Sequence, residues 1–381
     1  MKILNVNSSL SFKTGGGTAE RTFQMSRFLA LEGIDCTVLT IDSGLDQARI
    51  EALKPASLIA FPLLWQRFHV PRIRWKTVKN LVNEADIVHL MGHWGVLNAV
   101  VYWAVRRARK PYVVCPAGAL PLFGRSKLLK KLYNLIVGKA ILRNAAGWIA
   151  VTDAECVQFE SYGVPSSRIT VIPNGVCQED FPPADTEQFR REKKLPDAPL
   201  ILFMGRLSPI KGPDLLLQAF TSMCEQIPEY HLAFAGPDDG MRDGLEKAAR
   251  QAGIEDRVHF LGFVGGNDKA AAYQTASLLA VPSRQEAMSI VVLEAGICGT
   301  PAMLTDQCGF SEITAIDRGL ETPATAQGIA EGLLHLLRTP DLLERVASNL
   351  QDLVLQKYTW RHIVQRYLNL YQTLLQTSIS K

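Results

Sequence analysis

Two successive runs of short apolar segments, each separated by helical stretches, constrain this chain more than any other feature. The first run comprises Lys2 to Val6, Cys36 to Ile41, Asp86 to Leu90, Pro111 to Cys115, Gly147 to Val151 and Arg168 to Ile172. Such alternation predicts a parallel sheet wrapped on both sides by helices. Pro173-Asn174-Gly175 and the acidic, proline-rich stretch Gln178 to Pro199 then read as a linker. After Pro199 the alternation restarts, with strands at Leu200 to Met204, His231 to Ala235, Val258 to Leu261 and Leu278 to Val281. Helices are expected between them at Pro213 to Gln226 and Met241 to Ala252. A chain of 381 residues is too long for one core. The expectation is therefore α/β, with two doubly wound Rossmann-like domains whose strand ends face a ligand cleft.

A hydrophobic content of 47% with 20% charged residues excludes disorder. The net charge of +4 conceals an asymmetry: residues 1–176 hold 22 Lys and Arg against 11 Asp and Glu, and the remainder holds 19 against 26. The basic half points to an anionic partner, either a lipid surface or an acidic acceptor. No nucleic-acid motif accompanies the charge, so nucleic acid is not the expected partner. Seven cysteines lack any Cys-x-x-Cys spacing, which argues for a reducing, cytoplasmic compartment and against a structural zinc site. The start, Met1 to Val6, reads as a strand rather than an apolar leader, and Gly95 to Val105 is about half the length that a bilayer requires.

The chemistry concentrates between Pro282 and Pro301. Ser289 is placed to cap a helix from Ile290 to Cys298 that Gly299 and Pro301 end. Glu286 then lies in the loop before it and Glu294 within it. The first-turn amides between them attract an anion. Two carboxylates flanking an anion suit a ligand with a phosphate in its middle and hydroxyls at both ends, as in a nucleotide sugar. Arg206 and Lys211 follow the strand at Leu200 to Met204, bracketed by Gly205 and Gly212. Paired cations there would stabilise a departing diphosphate. Gly15, Gly16 and Gly17 precede a helix from about Thr18, leaving amides open to phosphate, although Gly-x-Gly-x-x-Gly is not met. Lys127, Lys130, Lys131 and Asn134 share one helix face while Leu129, Leu132, Tyr133 and Ile136 share another, which suits a charged membrane surface. Trp65 to Lys79, with Arg67, Arg72, Arg74 and Lys76 among Phe68 and Trp75, reads as a loop on the acceptor or lipid side.

The Gly-Arg-Leu-x-x-x-Lys-Gly stretch at 205–212, the Glu286 and Glu294 pair, the glycine loop at 15–17 and Pro173-Asn174-Gly175-Val176 together resemble glycosyltransferase family 4, retaining enzymes of the GT-B fold. The resemblance spans the chain and is more specific in the second half. It implies an acceptor-side domain at 1–176, a donor-binding domain at 177–358, and a final helix within 359–381 that packs back on the first domain. Arg206 and Lys211 would hold the donor diphosphate, Glu294 the ribose hydroxyls and Glu286 the hydroxyls of the transferred sugar. Backbone amides of Met288, Ser289 and Ile290 would contact phosphate or sugar, Val264 the base, and Gly16 would close on the donor. No metal is implied. The family's histidine after the strand at Tyr112 to Cys115 is replaced by Ala117, which leaves His93 and His89 as candidates to meet the sugar. Glu286-Ala287-Met288-Ser289 replaces the frequent Glu-Gly-Phe-Gly.

The expected activity is transfer of a sugar, with retention, from a uridine diphosphate donor to a lipid-linked saccharide or other glycan. It would proceed in the cytoplasm or at the inner face of a membrane. Alternatives are a sugar-nucleotide epimerase or hydrolase, a nicotinamide-dependent dehydrogenase using Gly15 to Gly17 and Asp42, and a non-catalytic nucleotide-sugar sensor or membrane scaffold.

Overall fold

The computed structural model describes residues 1–11, 15–122 and 126–379. The chain divides into two units, Met1–Asn174 with Trp360–Lys381, and Gly175–Thr359. The first unit contains β1 (Lys2–Val6), α1 (Gly16–Leu31), β2 (Asp35–Asp42), α2 (Gln47–Ala52), β3 (Ser57–Trp65), β4 (Val70–Pro71), α3 (Trp75–Glu84), β5 (Ile87–Met91) and α4 (Val96–Ala108). It continues with β6 (Tyr112–Cys115), α5 (Lys127–Tyr133), a π-helical turn at Asn134–Gly138, α6 (Lys139–Arg143), β7 (Gly147–Ala150), α7 (Asp153–Glu160) and β8 (Ile169–Val171). Its strands are ordered β4-β3-β2-β1-β5-β6-β7-β8, parallel except for β4. β5, β6 and β7 are buried along their whole length, as expected of strands covered on both faces.

Two segments differ from the sequence reading. β3 is not among the strands expected from sequence; its run contains Pro62, and proline demotes a strand. It nevertheless pairs with β2 from Thr37 opposite Ser57 to Asp42 opposite Pro62. The chain then returns through β4, so Trp65 to Pro71 is a hairpin rather than a plain loop, and α3 starts at Trp75.

The second unit contains α8 (Thr186–Lys193), β9 (Leu200–Met204), α9 (Pro213–Met223), β10 (His231–Ala235), α10 (Arg242–Gln251), β11 (Val258–Gly262), α11 (Asn267–Thr275) and β12 (Leu278–Val281). It ends with α12 (Ile290–Ile297), β13 (Ala302–Thr305), β14 (Glu321–Thr322), α13 (Ala326–Leu337) and α14 (Pro340–Lys357). Its sheet is ordered β11-β10-β9-β12-β13-β14, all parallel. α8 lies inside the stretch read as a linker. Asp185 caps it by accepting from the Gln188 amide at 2.8 Å, Phe189 is buried, and Lys193 reaches Asp268 on α11 at 2.9 Å. Its polar composition belongs to a capped surface helix that presents a single apolar anchor.

α15 (Trp360–Ile379) belongs to the first unit and lies along α1, where Trp360 stacks on Phe28 at 6.3 Å between ring centroids. Tyr367 and Tyr371 are fully buried, and the Tyr371 hydroxyl is 2.7 Å from Nδ1 of His89 on β5. Gly147 on β7 lies against α15, where a Cβ would sit 2.9 Å from Leu374 Cδ1. Between these elements lies Arg21, 1% exposed. Its guanidinium donates to the carbonyls of Ile172 (2.7 Å) and Pro173 (2.8 Å) and to Asn174 Oδ1 (2.8 Å), and it stands 5.6 Å from the Tyr367 ring centre. These bonds engage both terminal nitrogens of the buried guanidinium and leave Nε without a hydrogen-bond partner. Arg21→Met should lower the stability of the first unit by about 3 kcal/mol, from lost charge-assisted hydrogen bonds and stranded acceptors. Urea titration followed by tryptophan fluorescence checks this; a loss below about 1 kcal/mol would contradict it.

Candidate active site

In the second unit β9 is flanked by β10 on one side and β12 on the other, so the strand order reverses at the β9/β12 boundary. Open parallel sheets hold ligands beyond the carboxyl ends of the strands at such a point. Both sequence stretches singled out for chemistry leave the sheet there. After β9, Gly205 takes φ 157° and packs against Gly236, where a Cβ would lie 1.9 Å from the Gly205 carbonyl oxygen. Arg206 is exposed, while Leu207 is buried and donates its amide to Pro237 O. A tight turn at Pro209–Lys211 ends at Gly212, whose φ is 66° and whose absent Cβ would fall 2.1 Å from the Pro282 carbonyl oxygen. Only glycine allows the two loops to approach this closely.

The loop after β12 is fixed on both sides. Arg284 donates its amide to Ile210 O and its guanidinium to Pro209 O and to both carboxylate oxygens of Asp214, at 2.6 to 2.8 Å. On the other side the amides of Glu286 and Ser289 donate to Gln307 O and Cys308 O, and a Cβ on Gly309 would lie 2.0 Å from Ala287 O. Clamped in this way, Glu286 Oε1 lies 2.9 Å from Lys211 Nζ and accepts from the Ser283 hydroxyl.

Glu294, 4% exposed, faces α11 from the first turns of α12. Lys269 Nζ meets one of its oxygens at 2.5 Å, and the Tyr273 hydroxyl donates to the other at 2.7 Å. Burial, and next the Glu294 charge, push the Tyr273 hydroxyl well above its usual range, so it keeps its proton. Val264 is buried in the connection from β11 to α11, the helix that carries both partners of Glu294. Lys269, Tyr273, Arg284, Asp214 and Ser283 were not found from sequence. The one local signal was the i, i+4 spacing of Lys269 and Tyr273, which places them on one helix face without saying what that face meets.

Ser289 requires correction. It occupies the N-cap position of α12, but its amide is spent on Cys308 O and its hydroxyl is buried without a hydrogen-bond partner. It neither caps the helix nor offers an amide to phosphate. The amides of Ile290 and Val291 follow it in the first turn, where no intrahelical acceptor exists. Met288 is buried beside them.

In the first unit α1 starts at Gly16, with φ 62°, rather than at Thr18. Gly15 is sterically obligatory, because a Cβ would meet Ala19 Cβ at 2.4 Å and Ser11 O at 2.7 Å. Gly16 and Gly17 are exposed, and Asp42 stands exposed at the end of β2. Beyond β6, Ala117 (φ 50°) and Gly118 (φ 80°) form a turn held by buried Glu155, which accepts from the amides of Gly118 at 2.6 Å and Val151 at 2.8 Å. Burial raises the Glu155 pKa, opposed by these amides and by Arg21. Among the described residues no three His, Cys, Asp or Glu cluster to hold a metal, and no helix is long and apolar enough to cross a membrane.

Residues 185–352 match the family description "Glycosyl transferases group 1", and residues 16–175 match "Glycosyl transferase 4-like domain". A D-inositol 3-phosphate glycosyltransferase of Actinosynnema mirum is 31% identical over 296 residues, covering 70% of each chain. The chain belongs to glycosyltransferase family 4. Solved structures of similar fold include HepE of Anabaena in complex with UDP and glucose (TM-score 0.80, 22% identity, 98% of this chain and 100% of that one). WaaG, a glycosyltransferase involved in lipopolysaccharide biosynthesis, has a TM-score of 0.66 at 21% identity over 95% and 98% of the two chains. The fold of this glycosyltransferase is GT-B, and the dehydrogenase alternative falls with the family assignment.

His93 does not fit the sugar-contacting part proposed for it from sequence. It is 3% exposed, ringed by Trp94, Tyr133 and Tyr162, and its Nε2 is 2.9 Å from Asn134 Oδ1. His89 is likewise fully buried on β5. Burial lowers their pKa values to about 4 for His93 and about 3 for His89, from 6.5. Below pH 6.5 the unfolded chain takes up protons that the native imidazoles refuse, so stability falls as pH drops toward the folded values. Between pH 7 and pH 5 His93 alone should account for about 2 kcal/mol. His93→Gln should flatten the pH dependence of the unfolding free energy from urea titration by that amount, and an unchanged slope would refute it.

The Gly212 contact gives a second test in this glycosyltransferase. Gly212→Ala should fold, yet displace Lys211 and weaken uridine diphosphate binding at least about tenfold, because a Cβ at positive φ cannot occupy the space beside Pro282. Calorimetric titration checks it; wild-type affinity would count against this loop as the diphosphate contact.

Proposed function

We propose that this glycosyltransferase moves a sugar from a uridine diphosphate donor to a hydroxyl of a lipid-linked saccharide or related glycan, with retention of anomeric configuration, in polysaccharide or glycoconjugate assembly. The observation that carries the reading is the Lys211–Glu286 pair at the β9/β12 reversal point, on the loops that also carry Arg206 and lead into α12. HepE, of similar fold, is described with bound UDP and with UDP-glucose, which supports the choice of donor. WaaG and the basic first half support a lipid-linked acceptor at a membrane surface.

In this reading Arg206 and Lys211 face the diphosphate, whose charge grows as its bond to the anomeric carbon breaks. Fixed cations stabilise that state more than the bound donor. The diphosphate draws Lys211 from Glu286, and the released carboxylate accepts from the sugar hydroxyls. Glu294, held by Lys269 and Tyr273, accepts from the ribose, while Val264, Met288 and Ile290 line the base and phosphate positions. The acceptor hydroxyl attacks the face that the diphosphate leaves, and a diphosphate oxygen takes its proton. No side chain serves as a covalent nucleophile.

Arg206→Ala and Lys211→Ala should each lower kcat about a hundredfold or more, the scale of removing a donor aimed at developing charge. Steady-state assay against a panel of nucleotide sugars, with NMR of the product anomer, checks this. Near-normal turnover in both variants, or an inverted product, would overturn the reading. Release of free sugar in place of a glycosylated product would mark a hydrolase.

A further inference from the structure

The first unit carries an exposed aliphatic surface that the chemistry above does not use. From α5 through the π-helical turn, Leu128 and Leu135 are each 81% exposed, Ile136 64%, and Leu129 and Leu132 51%. Soluble surfaces rarely show five large aliphatic side chains within nine residues.

The helix is not loosely attached. Asn134 turns inward, with its Oδ1 at His93 and its Nδ2 donating to the Tyr162 hydroxyl, which in turn donates to Leu120 O. Gly138 makes room for this, because a Cβ there would lie 2.3 Å from Asn134 Oδ1. The sequence reading had placed Asn134 with the lysines on the polar face. Its burial leaves Leu135 and Ile136 pointing to solvent together. The π turn inserts an extra residue, so the outward stripe continues from α5 toward Lys139.

The charge along this part of the chain has one sign. No Asp or Glu occurs between Asp86 and Asp153, whereas that interval holds ten Lys and Arg. Lys127, Lys131, Lys139 and Arg143 are exposed on the same helical run. Fixed leucines rimmed by cations complement an anionic bilayer: aliphatic side chains enter the acyl boundary by about 5–10 Å while lysines stay among the headgroups. A protein partner would require acidic groups complementary to every cation on the rim, whereas an anionic bilayer supplies them wherever the helix lands.

We propose that residues 127–139 form a monotopic docking helix that seats the first unit in an anionic membrane, with Leu128, Leu132, Leu135 and Ile136 as the inserted residues. This deepens the reading of a lipid-linked acceptor, since it names the surface at which that acceptor is met.

The test is flotation of the full chain with phosphatidylcholine vesicles, with and without phosphatidylglycerol, across a salt series, with no donor or acceptor present. The wild type should bind the phosphatidylglycerol vesicles at least about tenfold better, and less as salt rises. Leu128→Ser with Leu135→Ser should lose about tenfold at every salt concentration, and Lys127→Glu with Lys131→Glu should lose the preference for phosphatidylglycerol. Unchanged melting temperature and uridine diphosphate affinity show that the variants fold. Wild-type binding by the leucine variant, or no flotation of the native chain, overturns the proposal. So does a dimer in solution that the leucine variant dissolves while vesicles go unbound. Uridine diphosphate titration of the same samples reads the donor site separately, so loss of the docking helix and loss of the transferase reading give different results.

Discussion

Everything at the candidate site of the second unit depends on two backbones meeting without a side chain between them, at Gly212 and Pro282. Because the loops touch there, Arg284 can reach across and satisfy carbonyls of one loop while anchored in the other. Lys211 and Glu286 then come within 2.9 Å. The same economy recurs deeper in the site, where Lys269 and Tyr273 occupy both oxygens of Glu294. Each carboxylate assigned to a hydroxyl-rich part of the donor therefore has a lysine beside it in this structure. Such pairing holds the acids in orientation, at the expense of a competition that an incoming ligand must win. Under the proposed function the competition is useful, since a diphosphate that attracts Lys211 simultaneously vacates Glu286.

What could be read from sequence was what short stretches encode. The alternating strands, the bracketing glycines of 205–212 and the helix carrying Glu294 all announce themselves within about twenty residues. Contacts between distant stretches did not. Arg284 and Asp214 are 70 residues apart, Lys269 and Glu294 are 25 apart, and Glu155 holds a turn 37 residues before it. α8 was hidden by its polarity, and β3 by a proline at a position where the strand needs no donor. The errors at His93 and Ser289 share a cause. Residue type and position indicated chemistry, but burial in one case and an amide already spent in the other removed the atoms from use.

The first unit places charge inside its core and satisfies it with backbone. Arg21 serves three acceptors at residues 172 to 174, and Glu155 accepts from two amides. These arrangements specify geometry more than they add stability, because a buried ion roughly repays its desolvation only when its donors or acceptors are matched, and Arg21 Nε is buried without a hydrogen-bond partner. The turn at Ala117 and Gly118 inherits its shape from Glu155, so the departure from the family's histidine sits on a rigid support.

The return of the last helix to the first unit has a consequence for biogenesis. A ribosome delivers all of Gly175–Thr359 before Trp360, Tyr367 and Tyr371 emerge. The later half can close its sheet during translation, whereas the earlier half waits with α1 and β5 uncovered until α15 has been made. For that interval Phe28 and His89 lack their aromatic lids, and nascent molecules are exposed to aggregation and to chaperone capture through the half synthesised first.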